Sequence, residues 1–538
     1  MATQAKDISN RPVDTTYSGA PINNITKGLP KEVDSICAEP DCGRIIRARM
    51  FAEDGKVWME KTCPEHGYFK DLYWSDVELY LKAEKWEFGD GKGLMNPMSE
   101  CSNCPEDCGI CNQHTSHTAL GNIDLTNRCN LNCPICFANA NATGRIYEPS
   151  KEEVMQMLDL YRSEKPVYGR MVQFSGGEPT IHPDFLEIIA GAKERGYSHI
   201  QVASNGIKFS DPDFTMRAAE AGLHTIYLQF DGVDDEVYKK TRGRALMKYK
   251  DATIEAVRKA GIKIVFVPTI AAGINDHQVG PILQYALDNI DVLSGISYQP
   301  ISLTGRVSAE ERQKLRFTLP DLARCVEEQT GIVVKNDWYP LSFVSPISRI
   351  ISALRGRETV NISCHPHCSL GTYLFIEQGT NRPVPITRFV DVEGMFEELD
   401  ALAARTKASR FKRFAQMNAF YRIQKYFNRK EAPAGMDFTK FLQTLDGFFD
   451  KEAGRGEKDG SYTNKTLLVA GMHFMDNYNY ELERVRRCVI HYATPAGKII
   501  PFCSYNGGLC HRYPIEDKYS LSLDEYKARR RARAQEQA

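Results

Sequence analysis

The chain has 538 residues, room for about three to four domains, and its 42% hydrophobic and 25% charged content is that of a water-soluble globular protein. A formal net charge of −1 gives no electrostatic reason to expect nucleic acid, no apolar run is long enough for a membrane span, and the polar stretch 1–20 is not a signal peptide. Sixteen cysteines, clustered rather than scattered, point to metal sites in a reducing, cytoplasmic setting rather than to disulfides.

In chain order, residues 1–30 read as a disordered tail and 31–90 as a small metal module. That module holds Cys37-x4-Cys42 and then Cys63-x2-His66, with strand-like runs 45–51 and 57–61 about a turn at Glu53–Lys56. Two knuckle halves around a hairpin read as a zinc-ribbon or rubredoxin-type site for one mononuclear iron or zinc. Three thiolates and one imidazole can close a tetrahedron; His66 is either that ligand or a turn residue. The segment 91–118 carries Cys101, Cys104, Cys108 and Cys111, dense enough to wrap a 4Fe–4S cluster, with zinc as the rival. His114 and His117 read as loop residues.

Residues 119–300 alternate strand and helix. Strands are expected at 119–125, 170–174, 199–203, 225–230, 263–267 and 295–298, with helices at 151–163 and 183–195. Such alternation implies an α/β fold with a parallel sheet and outer helices, its polar motifs just past the strand ends. Strand one runs into Cys129, Cys133 and Cys136; strand two into Gly176, Gly177 and Glu178; strand three into Asn205; strand four into Asp231. Residues 301–515 form a C-terminal region with Cys364, Cys368, Cys488 and Cys503, four thiols that can close one more four-cysteine cluster. Cys510 can replace one of them, and Cys325 reads as core. The run 408–430 mixes cationic and aromatic residues at helical spacing: either a core helix with a charged outer face or a helix at a headgroup interface. The tail 516–538 is basic, a solvated helix from Leu521 or one drawn to anionic lipid.

The C-x3-C-x2-C spacing of Cys129, Cys133 and Cys136 can hold three corners of a 4Fe–4S cluster and leave the fourth iron open to a chelating molecule. With the Ser175–Pro179 stretch downstream, the chain resembles the radical S-adenosylmethionine (SAM) superfamily. The resemblance implies a partial (β/α)6 TIM-like barrel. It also implies that SAM chelates the open iron, that the Gly176–Glu178 motif holds the methionine amino group, and that a 5′-deoxyadenosyl radical removes hydrogen from substrate. Asn205 and Asp231 would meet the ribose hydroxyls or the carboxylate of SAM.

Further motifs, in 63–67, 101–136, 364–373, 487–492 and 500–506, resemble the tetraether lipid synthase family. That resemblance implies SAM, three 4Fe–4S clusters, one mononuclear metal, and carbon–carbon joining of two lipid tails in an apolar tunnel. It also implies a lipid substrate, a ferredoxin or flavodoxin reductant and peripheral membrane contact. The alternatives are methylation of a pterin-like small molecule, favoured by a polar pocket, and peptide modification.

Overall fold

The computed structural model describes residues 25–40, 42–88, 93–101, 103–304, 311–377, 379–408, 421–447 and 465–536. Of the expected tail, residues 1–24 lie outside the described residues, but 25–30 are packed. Ile25 is buried, Thr26 donates from its N–H and Oγ1 to Glu483, and the Gly28 N–H donates to Glu84 at 2.8 Å.

The N-terminal module is an antiparallel four-stranded meander, Lys31–Ile36, Ile45–Glu53, Lys56–Cys63 and Gly67–Trp74. Alternation buries one face, with Val33, Ala48, Met50, Val57 and Met59 inward, while the other face carries charge. The helix Val77–Lys85 follows, capped by the Asp76 carboxylate, which accepts the Leu79 N–H at 2.9 Å.

The barrel strands are Leu120–Thr126, Met171–Gly176, His199–Ser204, Thr225–Gln229, Lys263–Val267 and Leu293–Pro300, all parallel and in sequence order across the sheet. Five of the six start within one residue of their expected positions; the sixth starts two residues early. The sheet does not stop at them. Ile490–Ala493 adds in parallel beside strand one and Thr466–Met472 in parallel beside strand six, each followed by an antiparallel partner. Both edges of the barrel sheet are thus covered by the C-terminal region.

The two faces of the barrel strands differ. Ile123, Leu125, Val172, Phe174, Ile200, Val202, Ile226, Leu228, Ile264 and Phe266 pack in the main apolar core. Residues of the opposite parity are polar. Gln173 donates to Asn122 at 2.8 Å, Gln201 to Gln173 at 2.6 Å, Ser175 to Asp124 at 2.8 Å, and Tyr227 bonds Ser297 and Gln299.

The region 301–363, unreadable by pattern, is helical at Leu319–Thr330 and Ser345–Arg355. Cys325 lies in the core of the first of these, as expected. Most of the cationic-aromatic run falls at 409–420, outside the described residues; within 421–430 there is a short turn at Gln424–Tyr426. The basic tail is a helix, Leu523–Glu536, anchored where Tyr526 donates to Glu148 at 2.9 Å and stacks under Arg128. Among the described residues no helix is long and apolar enough to cross a membrane.

Candidate metal and SAM centre

The ribbon brings Cys37, Cys42, Cys63 and His66 together, their ligand atoms all within 4.8 Å of one another. Each knuckle sits at a strand end: Cys37 follows the first strand and Cys63 closes the third. His66 Nδ1 lies 3.6 Å from Cys37 Sγ and 3.5 Å from Cys63 Sγ, so the imidazole points into the thiol group and is not a mere turn residue. Burial pushes Cys37 up to about 12. Burial also opposes ionisation of Cys63, but backbone N–H groups at Glu65 and His66 and the His66 ring hold it down at about 7. A tetrahedral ion fits this donor set.

The cysteine loop leaves strand one at Thr126 and is clamped against the end of strand two. The Gly177 N–H donates to Thr126 O at 2.7 Å and the Glu178 N–H to Arg128 O at 2.8 Å. A methyl group on Gly176 would overlap Thr126 O, and one on Gly177 would overlap Arg128 O, so both glycines are required by this approach. Backbone N–H groups of Leu131 and Ala140 lie 3.4 Å from Cys129 Sγ and Cys136 Sγ, donors that suit thiolates. Cys129 is pushed up to about 12 by burial and by the Glu178 charge. Three thiols in a C-x3-C-x2-C loop, two of them with backbone N–H donors, fit a 4Fe–4S group with one open corner.

Glu178 does not face outward. Its carboxylate accepts from Thr180 N at 3.3 Å and Oγ1 at 2.6 Å, Ser204 Oγ at 2.9 Å and Asn205 N at 2.9 Å. It ties strand three to strand two. Asn205 in turn donates to Asn130 Oδ1 at 2.6 Å and accepts from Ile207 N at 2.9 Å, which fixes the cysteine loop from the side.

The expectation that Asp231 meets the ribose or carboxylate of SAM is corrected. Its buried carboxylate accepts from Arg242 Nε at 2.5 Å and Nη2 at 2.9 Å, Gln229 at 2.6 Å, Thr241 at 3.1 Å and Thr269 N at 3.1 Å. Five donors fill a carboxylate that offers about four lone-pair sites. Asp231 instead holds Arg242, whose guanidinium bonds Cys133.

Two residues of this site were not found by sequence reasoning: Arg242 and Lys250. Lys250 is fully buried, donates to Asn205 O at 2.6 Å and Gln229 Oε1 at 3.0 Å, and is lowered to about 7 by that burial. Each is one cation on an ordinary amphipathic helix, and only the barrel topology carries it to the cysteine loop.

The remaining thiols form two groups. Cys101 hydrogen-bonds both Cys104 and Cys111, and Cys108 faces Cys104 and Cys111. Cys368 lies near enough to Cys364, Cys488 and Cys503 to act on each electrostatically. Cys510 stays apart, its thiol facing Arg512 and Glu516. His114 is buried and bonds Cys488 O at 2.8 Å, and His117 Nε2 accepts the Asn361 N–H at 2.9 Å. His365, His367 and Glu481 also gather within 4.8 Å. The His367 N–H donates to His365 Nδ1 at 3.3 Å, and His365 Nε2, His367 Nδ1 and Glu481 Oε1 are buried without a hydrogen-bond partner.

A model of the radical SAM superfamily matches residues 123–286, and one described as the HMPTM N-terminal zinc ribbon domain matches 29–75. A 7,8-dihydro-6-hydroxymethylpterin dimethyltransferase of Methanocaldococcus jannaschii is 41% identical over 502 residues, covering 93% of this chain and 97% of that one. A GTP 3′,8-cyclase of Corynebacterium glutamicum is 28% identical over 215 residues, 37% of this chain and 56% of that one. Among solved structures, Streptococcus suis SuiB bound to S-adenosylmethionine aligns at a TM-score of 0.32, with 17% identity over 40% of this chain and 47% of that one. The near full-length match corrects the expected kinship with tetraether lipid synthases, and with it the lipid substrate that kinship implied. The chain is a radical SAM protein and belongs to the family of the M. jannaschii pterin dimethyltransferase.

Proposed function

We propose that this chain is a radical SAM methylase acting on a pterin, with 7,8-dihydro-6-hydroxymethylpterin as the first candidate. The observation that carries the reading is the polar inner face of the barrel, where Asn122, Gln173, Gln201, Tyr227, Ser297 and Gln299 replace the apolar lining an alkyl chain would need. A pterin carries an amide and an amino group on its pyrimidine ring and further nitrogens in its pyrazine ring, and amide and hydroxyl side chains can both donate to and accept from them. The family membership supports the same reading.

A SAM-bound 4Fe–4S group at Cys129, Cys133 and Cys136 supplies a radical able to take hydrogen from carbon. The chain's own residues do the rest. Gly176 and Gly177 let the cysteine loop close on strand two, Glu178 and Asn205 brace it from strand three, and Asp231 holds Arg242 against Cys133. We assign zinc to the ribbon site, whose closed donor set suits a structural ion. Cys101, Cys104, Cys108 and Cys111, and likewise Cys364, Cys368, Cys488 and Cys503, would hold two auxiliary iron–sulfur groups. The electron would come from a ferredoxin- or flavodoxin-type donor.

The test is anaerobic incubation of the loaded protein with SAM, reductant and 7,8-dihydro-6-hydroxymethylpterin, followed by mass spectrometry. Products heavier by one and by two methyl groups are expected. Cleavage of SAM to 5′-deoxyadenosine with the pterin left unchanged would overturn the assignment.

A further inference from the structure

The cysteine loop of the SAM centre reaches the surface. Asn130, Asn132 and Pro134 are exposed and uncharged, and Cys129 and Cys136 are half-buried. Two basic groups border this loop, each joined to it through one aromatic ring. In the first, Arg244 and Lys248 lie over the Tyr249 ring at 5.6 and 5.0 Å. Tyr249 packs on the apolar cluster that contains Leu131 and Cys133, as do Cys129 and Cys136. In the second, the guanidinium of Arg128, the residue before Cys129, lies 4.9 Å from the ring of Tyr526 in the C-terminal helix Leu523–Glu536. That helix continues as exposed Lys527, Arg529, Arg530 and Arg531.

The acids around these cations are engaged elsewhere. Glu148 pairs with Arg128, Glu236 pairs with Lys239, and Asp235 accepts the Leu246 and Met247 N–H groups at 2.8 and 2.9 Å. Glu525 accepts from Ser522 in the first turn of the C-terminal helix. Among the described residues, Arg244, Lys248 and the basic stretch 527–531 have no carboxylate within ion-pair distance. In a chain of net charge −1 this is a local excess of positive charge around the thiols. Such a field attracts an acidic partner and speeds its encounter. A lipid surface suits the helix poorly. Beyond Leu523 and Tyr526 its apolar residues are all alanine, and Tyr526 is turned inward, so no apolar face is left to insert.

We propose that the exposed cysteine loop, with the cations that border it at Tyr249 and Tyr526, is the docking face for an acidic one-electron donor protein of ferredoxin or flavodoxin type. The C-terminal helix is one arm of that face. One electron leaves the reduced donor and enters the iron–sulfur group at Cys129, Cys133 and Cys136; the donor is oxidised by that electron and no proton or other group moves. The inference rests on the iron–sulfur assignment at those three thiols and not on the pterin. Reversing either basic group should weaken donor binding and slow electron entry roughly tenfold or more, since charge steering of this kind changes association rates by about 10 to 1,000-fold.

The experiment uses the full-length, iron-loaded chain under anaerobic conditions, with a reduced acidic bacterial ferredoxin and a reduced flavodoxin as probes. Wild type is compared with Arg244→Glu/Lys248→Glu and with Arg529→Glu/Arg530→Glu/Arg531→Glu. Donor binding is read by calorimetry and reduction of the centre by stopped-flow absorbance. SAM cleavage driven by dithionite, which needs no docking face, and iron content are measured alongside. Both variants should lose donor binding and donor-driven reduction while iron content and dithionite-driven cleavage stay at wild-type levels. Wild-type binding should weaken between about 0.01 and about 1 M salt, as the screening length falls from about 30 to about 3 Å. Undiminished donor binding in either variant would overturn the proposal. So would wild type that binds phosphatidylglycerol vesicles or duplex DNA more tightly than both donors, or a loss of dithionite-driven cleavage at full iron content, which would make the cations part of the centre itself. Donor docking as expected with the pterin left unmethylated sinks the functional reading only; methylation under dithionite without donor binding sinks this inference only.

Discussion

The ribbon site and the barrel's cysteine loop both gather thiols, but they are built in opposite ways. In the ribbon, four ligands within thirty positions of sequence converge from two hairpin ends, and the sheet alone sets their spacing. In the loop, Cys129, Cys133 and Cys136 lie on irregular chain that strands two, three and four must hold in place, through Gly177, Asn205 and the Asp231–Arg242 pair. A closed site needs only its own residues. A site that leaves a coordination position open needs outside support, because no fourth ligand pulls the loop tight.

The contrast can be broken most directly at Cys133. Cys133→Ala should abolish formation of 5′-deoxyadenosine, read by chromatography, while the ribbon keeps its metal; surviving cleavage would remove the loop from the mechanism. Next comes remote support. Asp231→Asn leaves Arg242 buried beside Cys133 without its carboxylate, and breaking such a pair costs about 3–5 kcal/mol. The midpoint of denaturant unfolding should fall accordingly, and iron bound per chain should fall with it. A smaller effect belongs to the ribbon. Cys63→Ser should release one equivalent of metal and lower the melting temperature, yet keep SAM cleavage per bound cluster; lost cleavage would mean the two regions are not independent.

The smallest effect probes the seam between strand one and the C-terminal edge strand. Glu164 there accepts from Thr118 N and Oγ1 and is pushed by burial from 4.5 to about 7. The fold then keeps a proton that the unfolded chain releases. Its contribution is fully present below about 4.5 and is lost as pH rises to about 7, about 3 kcal/mol in all. Glu164→Gln should flatten the stability profile across that window, measured by denaturant unfolding at successive pH values.

Much of this was legible in the sequence. The six barrel strands followed from apolar runs ending in polar motifs, and the ribbon's ligand set followed from spacing, whereas Cys364, Cys368, Cys488 and Cys503 were grouped only as thiols left over. His66 was undecided because spacing cannot say which way an imbidazole points; the hairpin decides it. Asp231 was misassigned because a strand-end carboxylate looks free until Arg242, eleven positions on, turns back onto it. The lipid reading failed against the near full-length match to a pterin dimethyltransferase, because cysteine spacing carries no information about a substrate.

Thr466–Met472 and Ile490–Ala493, which cover the two sides of the barrel sheet, are made long after the barrel strands themselves. While the chain is being synthesised, strands one and six therefore wait with bare backbone until residues 466–493 leave the ribosome. Closure of the sheet is postponed until those residues emerge, and a nascent chain stalled before that point leaves two sheet edges open.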